Sequence, residues 1–299
     1  MDVEMKIQEP INKVTRKQKL KNYSKHPGSF LLALLTKLAI LLTVLALGFI
    51  LIYILVKGIP NLSTDLFALK YTTENVSMLP AIINTLMITL LSLCIAGPIG
   101  IFSAIYLVEY AKKGNKLVGV VRVTAETLTG IPSIVYGLFG MLFFVTTLKC
   151  GYSLLAGALT LSIMVLPVIM RTTEEALLAV PNSFREGSFG LGAGKLRTIF
   201  KIVLPSAVPG ILAGVILAIG RMVGETAALI YTAGTVAEIP SSIMSSGRTL
   251  AIHMYSLSKE GLYTNQAYAT AVVLLIVVVL INMLSNSVSY THLTLPTNS

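Results

Sequence analysis

The sequence predicts an all-α, polytopic membrane protein with six transmembrane helices, and three observations carry that reading. Hydrophobic residues make up 55% and charged residues 12% of the 299, with a mean hydropathy of +0.81, whereas soluble domains are about a quarter charged. The apolar residues fall in blocks long enough to cross a bilayer, so one membrane domain, residues 30–286, uses most of the chain. The formal charge of +10 is carried largely by basic residues in short segments flanking those blocks. That is the signature of membrane topology and not of a nucleic-acid surface. Only two cysteines occur, Cys94 inside one block and Cys150 near the end of another, so neither a disulfide framework nor a cysteine metal site is indicated.

The head, residues 1–29, is polar and basic, with Lys6, Lys13, Arg16, Lys17, Lys19, Lys21 and Lys25. It is not a signal peptide, because the apolar block that follows at 30–56 is too long for a signal core and precedes no cleavage site with a soluble domain. That block is the first span, and Lys37 near its start has a stem long enough to return to the interface. Further spans are expected at 81–108, 118–148, 154–170, 208–233 and 267–286. Six spans place both termini on one side. The head and the connections after spans two and four carry 7, 4 and 5 Lys or Arg, and the other three carry 2, 1 and 2. The basic excess puts both termini and the even-numbered connections in the cytoplasm.

The third block is interrupted by Gly130-Ile131-Pro132, where proline removes a donor and disfavours helix before it. The break either lines a translocation path or provides a kink for packing, and at membrane depth it needs protein or water cover. In the fifth block Gly210 with Gly214, and Gly220 with Gly224, stand at four-residue spacing, which suits close helix packing. Arg221 and Glu225 lie in the same block, where a charge costs about 3 kcal/mol on insertion scales. Four residues apart on a helix, they share a face and are expected to form an internal ion pair that offsets part of that cost. Such a pair either faces a transport path or bridges to a neighbouring subunit. Glu126 is placed near the cytoplasmic boundary and solvated. The outer connection contains an amphipathic stretch around Leu250 to Leu257, suited to an external protein or to the membrane interface.

Between spans four and five, residues 171–204 form a charged cytoplasmic connection longer than most in bundles. It reads Glu186-Gly187-Ser188, three residues to Gly192, nine to Ile202, then Leu204-Pro205. The spacing is similar to the EAA motif of ABC-transporter permeases, with Gly187 and Ser188 where alanines are commonest. A short helix bearing Glu186 and turning sharply at a glycine presents a compact face for another protein's groove. The resemblance implies that the groove belongs to a cytoplasmic ATPase, and makes Glu186, Gly187, Ser188, Gly192, Ile202, Leu204 and Pro205 the ATPase-coupling residues. Gly194-Lys195 imitates the end of a phosphate-binding loop, but Phe189 and Leu196 replace required positions. His26, His253 and His292 are scattered, and no motif points to enzyme chemistry within the chain.

The wider string resembles the phosphate-uptake ABC permeases of the PstA type over about residues 30 to 285. The matching stretches include Glu109-Tyr110-Ala111, Gly130 to Gly137, Leu166-Pro167, Arg171-Thr172-Thr173-Glu174-Glu175-Ala176-Leu177 and Gly224-Glu225-Thr226-Ala227. The resemblance implies a type I ABC importer permease bundle in a bacterial or archaeal cytoplasmic membrane, importing inorganic phosphate. It implies a second, PstC-like permease, two PstB-like ATPases that bind ATP and Mg, and an extracytoplasmic PstS-like phosphate-binding protein. No cofactor is expected in this chain. Arg221, as a guanidinium able to grip phosphate oxygens, and Glu225, its holder between turnovers, match positions considered functional in the family. Molybdate, sulfate or phosphonate as cargo, and an ion-coupled secondary transporter using the same pair, are the competing readings. The tail, residues 287–299, has no Lys or Arg, departs from the basic tail of the family and is read as non-native.

Overall fold

The computed structural model describes residues 27–112 and 114–293, with side chains of the last ten of these left aside. The basic head up to residue 26, Lys113 and residues 294–299 lie outside the described residues. Helix α1 spans Pro27–Gly58. It is apolar all round, its large side chains from Phe30 to Tyr53 are exposed, and it is long enough to cross a bilayer. A helix with no polar face and no buried face is solvated by lipid or by another apolar chain.

The second compact unit begins at Leu55. Helix α2, Leu79–Ile105, runs on through a π turn at Tyr106–Tyr110. Helices α3, Lys116–Thr129, and α4, Ser133–Gly140 with a π turn at Met141–Thr147, follow. Helix α5 covers Leu154–Ala179, α6 Asn182–Gly190, α7 Lys195–Thr198 with a π turn at Ile199–Val203, and α8 Leu204–Val223. Short α9, Ala227–Ile230, outer α10, Leu250–Glu260, and α11, Thr264–Leu293, complete the order. Helix α11 runs past residue 287, so the first part of the tail continues the sixth span's helix.

The core lies between α2, α5 and α8, where Ile88, Ala96, Leu161, Met164, Ile169, Ala218 and Met222 form one buried cluster. Lipid tails provide no hydrophobic drive between helices, so close approach and interhelical hydrogen bonds hold them. Ser92 Oγ donates to the Ala158 carbonyl at 3.2 Å and Ser162 Oγ to the Ser92 carbonyl at 3.1 Å, stitching α2 to α5. Gly210 and Gly214 lie directly against Ala176 and Thr172 of α5, with no room for a Cβ. The packing role read for these two glycines holds, whereas an added Cβ would fit at Gly220 and Gly224, where the nearest atoms stand at 3.9 Å.

Two expected spans are altered. The third is a bent pair, Lys116–Thr129 and Ser133–Thr147, meeting at 102°, so the crossings number six only when the pair counts as one. Pro132 imposes the break, and the Tyr136 hydroxyl donates across it at 2.7 Å to the Leu128 carbonyl, which also accepts from the Ile131 amide at 3.2 Å. The fifth ends at Val223, ten residues before its expected limit, and the chain re-enters helix only for the single turn of α9.

The connection between the fifth and sixth spans is folded onto the bundle. Asn84 of α2 donates to the Glu238 and Arg248 carbonyls at 3.1 and 3.2 Å, and Thr85 Oγ1 accepts from the Leu250 amide at 2.8 Å. The amphipathic stretch forms α10, whose apolar residues Leu250, Ile252 and Leu257 are turned inward. Arg248 lies over the Tyr71 ring at 4.6 Å, and the fully buried His253 meets the edge of the same ring at 6.2 Å. Burial, aided by the Arg248 charge, pushes His253 down to about 3. The unfolded chain takes up a proton below about pH 6.5 where the folded one does not, so stability is intact above that pH and is lost as pH falls towards 3. The melting midpoint in detergent should therefore drop between pH 7 and 4.5, and His253→Gln should flatten that drop; parallel profiles for the two proteins would refute it.

Candidate functional site

The segment expected as a polar connection is mostly helix. Helix α5 continues to Ala179, and α7 with its π turn leads into α8 without interruption, giving one helix over Lys195–Val223. The physical reason is a second apolar cluster, in which Leu177, Ile199 and Val203 pack with Leu107, Met170 and Ile211. What remains between the two long helices is the compact hairpin of α6 and its turn.

That turn is built by local hydrogen bonding. The Gly192 amide donates to the Phe189 carbonyl at 2.9 Å and the Ala193 amide to the Ser188 carbonyl at 3.1 Å, the paired pattern that closes a helix through a left-handed residue. Gly192 takes that conformation with φ +79°. Ser188 is buried and its hydroxyl meets that of Thr198 at 2.8 Å, locking α6 to α7. Gly187, Ser188, Gly192, Ile202 and Pro205 line one open groove of about 740 Å³, together with Phe184, Leu191 and others. Glu186 is exposed on α6 and Leu204 half-buried, and neither lines the groove. Leu191 at the tip is 91% exposed, and Phe184 and Phe189 are exposed beside it. A rigid hairpin with apolar knobs and a groove is a surface shaped for protein contact.

On the opposite side of α6, Arg185 reaches Glu109 at the end of α2. Its Nη2 and Nε donate to one carboxylate oxygen at 2.7 and 3.0 Å. Reading the sequence missed this pair because its members stand 76 residues apart; the only signal was the charge of Glu109 amid apolar neighbours. Nearby, Arg122 pairs with Glu174, and Arg171 with Glu175 at 3.1 Å. Glu126 is 74% exposed by side chain, in keeping with a solvated boundary position.

The structure does not join Arg221 to Glu225. Helix α8 ends at Val223, with Gly224 as its cap, so the two residues no longer share a helical face and no ion pair forms between them. Glu225 is buried and its Oε1 accepts from the Ala228 amide at 3.1 Å, capping α9. Arg221, half-buried in the last turn of α8, has no carboxylate partner among the described residues. The helix C-terminus favours a cation there. Gly137 of α4 abuts the Ala228 backbone, where a Cβ would stand 2.9 Å from its Cα. Helices α4 and α9, each of which follows a break, thus pack against each other.

The inner membrane component of binding-protein-dependent transport systems, as a family, matches residues 96–292, well over half of the chain. The chain belongs to that family. A phosphate transport system permease protein PstA of Pasteurella multocida (strain Pm70) is 38% identical over 267 residues, covering 85% of this chain and 91% of the relative. PstA of Haemophilus influenzae (strain ATCC 51907 / DSM 11121 / KW20 / Rd) is 31% identical over 270 residues, covering 89% and 95%. Among solved structures, a chain of a bacterial alginate ABC transporter has a TM-score of 0.64 at 16% identity, covering 89% of this chain and 96% of that one. A chain of the inward-facing MetNI methionine ABC transporter gives 0.55 at 20%, covering 81% and 97%. These likenesses show the type I ABC importer permease fold. As a binding-protein-dependent permease the chain is a non-catalytic membrane component, and ATP is hydrolysed by separate ATPase subunits.

Two substitutions probe the hairpin. Gly192→Val forces a β-branched residue into the left-handed region at about 1–2 kcal/mol and should reduce the ATPase subunit recovered with the permease. Gly190→Ala adds a Cβ that meets nothing within 4 Å, outside the groove, and should leave recovery unchanged; equal recovery for both would show that the turn is not used. At the other site, Glu225→Gln keeps an acceptor for the Ala228 amide, so its melting midpoint should stay at the wild-type value, whereas Glu225→Ala should lose about 0.5–2 kcal/mol.

Proposed function

We infer that this chain is the membrane-spanning permease subunit of an ATP-driven importer that carries inorganic phosphate into the cytoplasm. One observation carries the reading: a rigid cytoplasmic hairpin with the EAA spacing, on a chain 38% identical to a PstA protein over 85% of its length. The chain works beside a second permease of the same fold, and the path lies between them. A phosphate-binding protein outside delivers the anion, and two ATPase subunits inside grip the hairpin at the groove lined by Gly187, Ser188, Gly192, Ile202 and Pro205. Glu186 contacts the ATPase from the exposed face of α6, while Leu204 anchors the start of α8. Both termini and the hairpin face the cytoplasm.

Helix continuity supports how the motion passes inward. The hairpin is joined without a loop to α8, and α8 is pressed against α5, so a displacement at the hairpin reaches the two broken helices as a shift of the bundle. A partner moves an equilibrium only by its differential affinity for the two states, which here means ATPase subunits that hold the hairpin in different positions when nucleotide is bound or absent. Arg221 faces the path just before the break that precedes α9, unneutralised by a carboxylate of the described residues. Its guanidinium binds phosphate oxygens through paired hydrogen bonds. Glu225 acts by fixing α9 and by keeping a negative charge near the site, which limits how tightly the anion is held.

Reconstituted with its partners in proteoliposomes, the complex should take up radiolabelled phosphate only with internal ATP and irrespective of a protonophore. Arg221→Gln should lower that uptake by roughly tenfold or more, the worth of one charge-assisted bidentate contact. Uptake abolished by the protonophore, or competed equally by excess sulfate or molybdate, would overturn the reading.

A further inference from the structure

We propose that the buried Arg185–Glu109 ion pair is the strut through which the hairpin drives the second transmembrane helix, a role that rests on the importer reading above. Helix α6 has almost no hydrophobic attachment to the bundle, since the only side chain it buries is Ser188. Its apolar residues Phe184 and Phe189 are exposed. What ties α6 to its surroundings is therefore polar and countable. Ser188 fastens it to Thr198, and Arg185 fastens it to everything else.

Arg185 makes four contacts with good geometry. Nε and Nη2 converge on one oxygen of Glu109 at 3.0 and 2.7 Å, Nη1 donates to the Val180 carbonyl at 2.8 Å, and Nη2 to the Leu177 carbonyl at 2.9 Å. One planar group thus joins α6, the end of α5 and the end of α2. The side chains of Arg185 and Glu109 are only 14% and 9% exposed, so water neither screens the pair nor offers easy substitute partners. Lysine cannot copy this, because its ammonium has no fixed fork.

The end of α2 is shaped to receive the strut. Its π turn closes with the Ala111 amide donating to the Tyr106 carbonyl at 3.0 Å. Such a turn contains one residue more than an α turn and re-aims the side chains it carries. Beside Glu109, the Tyr110 ring supports the Lys195 ammonium at 4.8 Å. Both arms of the hairpin therefore press on the same turn of α2, α6 through an ion pair and α7 through a cation on a ring. When α6 is displaced by its ATPase partner, α2 must follow as long as Arg185 holds Glu109.

The assembled complex, with both permeases, its ATPases and its binding protein, tests this through Arg185→Ala, Glu109→Gln, Glu109→Ala and the Arg185→Ala/Glu109→Ala double variant. A spin label at a cysteine replacing Lys112, paired with one on the ATPase, reads the movement of the end of α2 on ATP addition whatever the cargo. The expected result is normal recovery of ATPase subunits, continued ATP hydrolysis, and uptake per ATP lowered by roughly fivefold or more in each single alanine variant. The double variant should be no worse than either, and the label should stop following nucleotide. Wild-type movement of the label in Arg185→Ala, additive losses in the double variant, or loss of the ATPase subunits from the single variants would each overturn the strut. Absence of phosphate uptake by the wild-type complex would instead overturn the phosphate reading, and the label would still decide the strut.

Discussion

Inside a bilayer a backbone group without a partner costs several kcal/mol, so a chain can leave helix at membrane depth only where protein covers the gap. This protein leaves it at residues 130–132 and 224–226, and packs the helices that follow, α4 and α9, against each other. Gly137 lies on Ala228, Tyr136 caps a carbonyl of α3, and Glu225 caps an amide of α9. The first break is thus partly satisfied by a side chain four residues beyond it, and the second by a side chain within it.

The end that carries the hairpin obeys a different constraint. There Leu107, Leu177, Ile199 and Val203 form a small core of their own beneath the hairpin. Above that core α6 is attached by polar contacts alone. A rigid base with a polar, specifically jointed tip differs from a floppy loop: its position is defined, and so is the direction in which it can be pushed.

Much of this was legible in the residues. The apolar blocks marked the crossings, Pro132 marked a break, and the spacing from Glu186 to Pro205 marked a hairpin whose glycine takes the left-handed conformation such a turn needs. The angle at the break was not legible, because proline fixes where a helix stops and leaves the direction of the next to packing. The early end of α8 was hidden as well. Hydrophobicity continues through residues 227–233, and Gly224 alone signals the cap, so a helical pair of Arg221 with Glu225 looked natural. The helical extensions of α5 and α7 depended on burial against α2, a tertiary effect with no local signature. The Arg185–Glu109 pair depended on the same distant contact.

Gly210 and Gly214 bring the α8 backbone against the Ala176 and Thr172 side chains of α5, where the two helices converge before parting to embrace the hairpin. Two beams welded where they converge cannot spread when their free ends are loaded. Work done on the hairpin is consequently spent in translating and tilting a stiff fork, with little dissipated in flexing its tines.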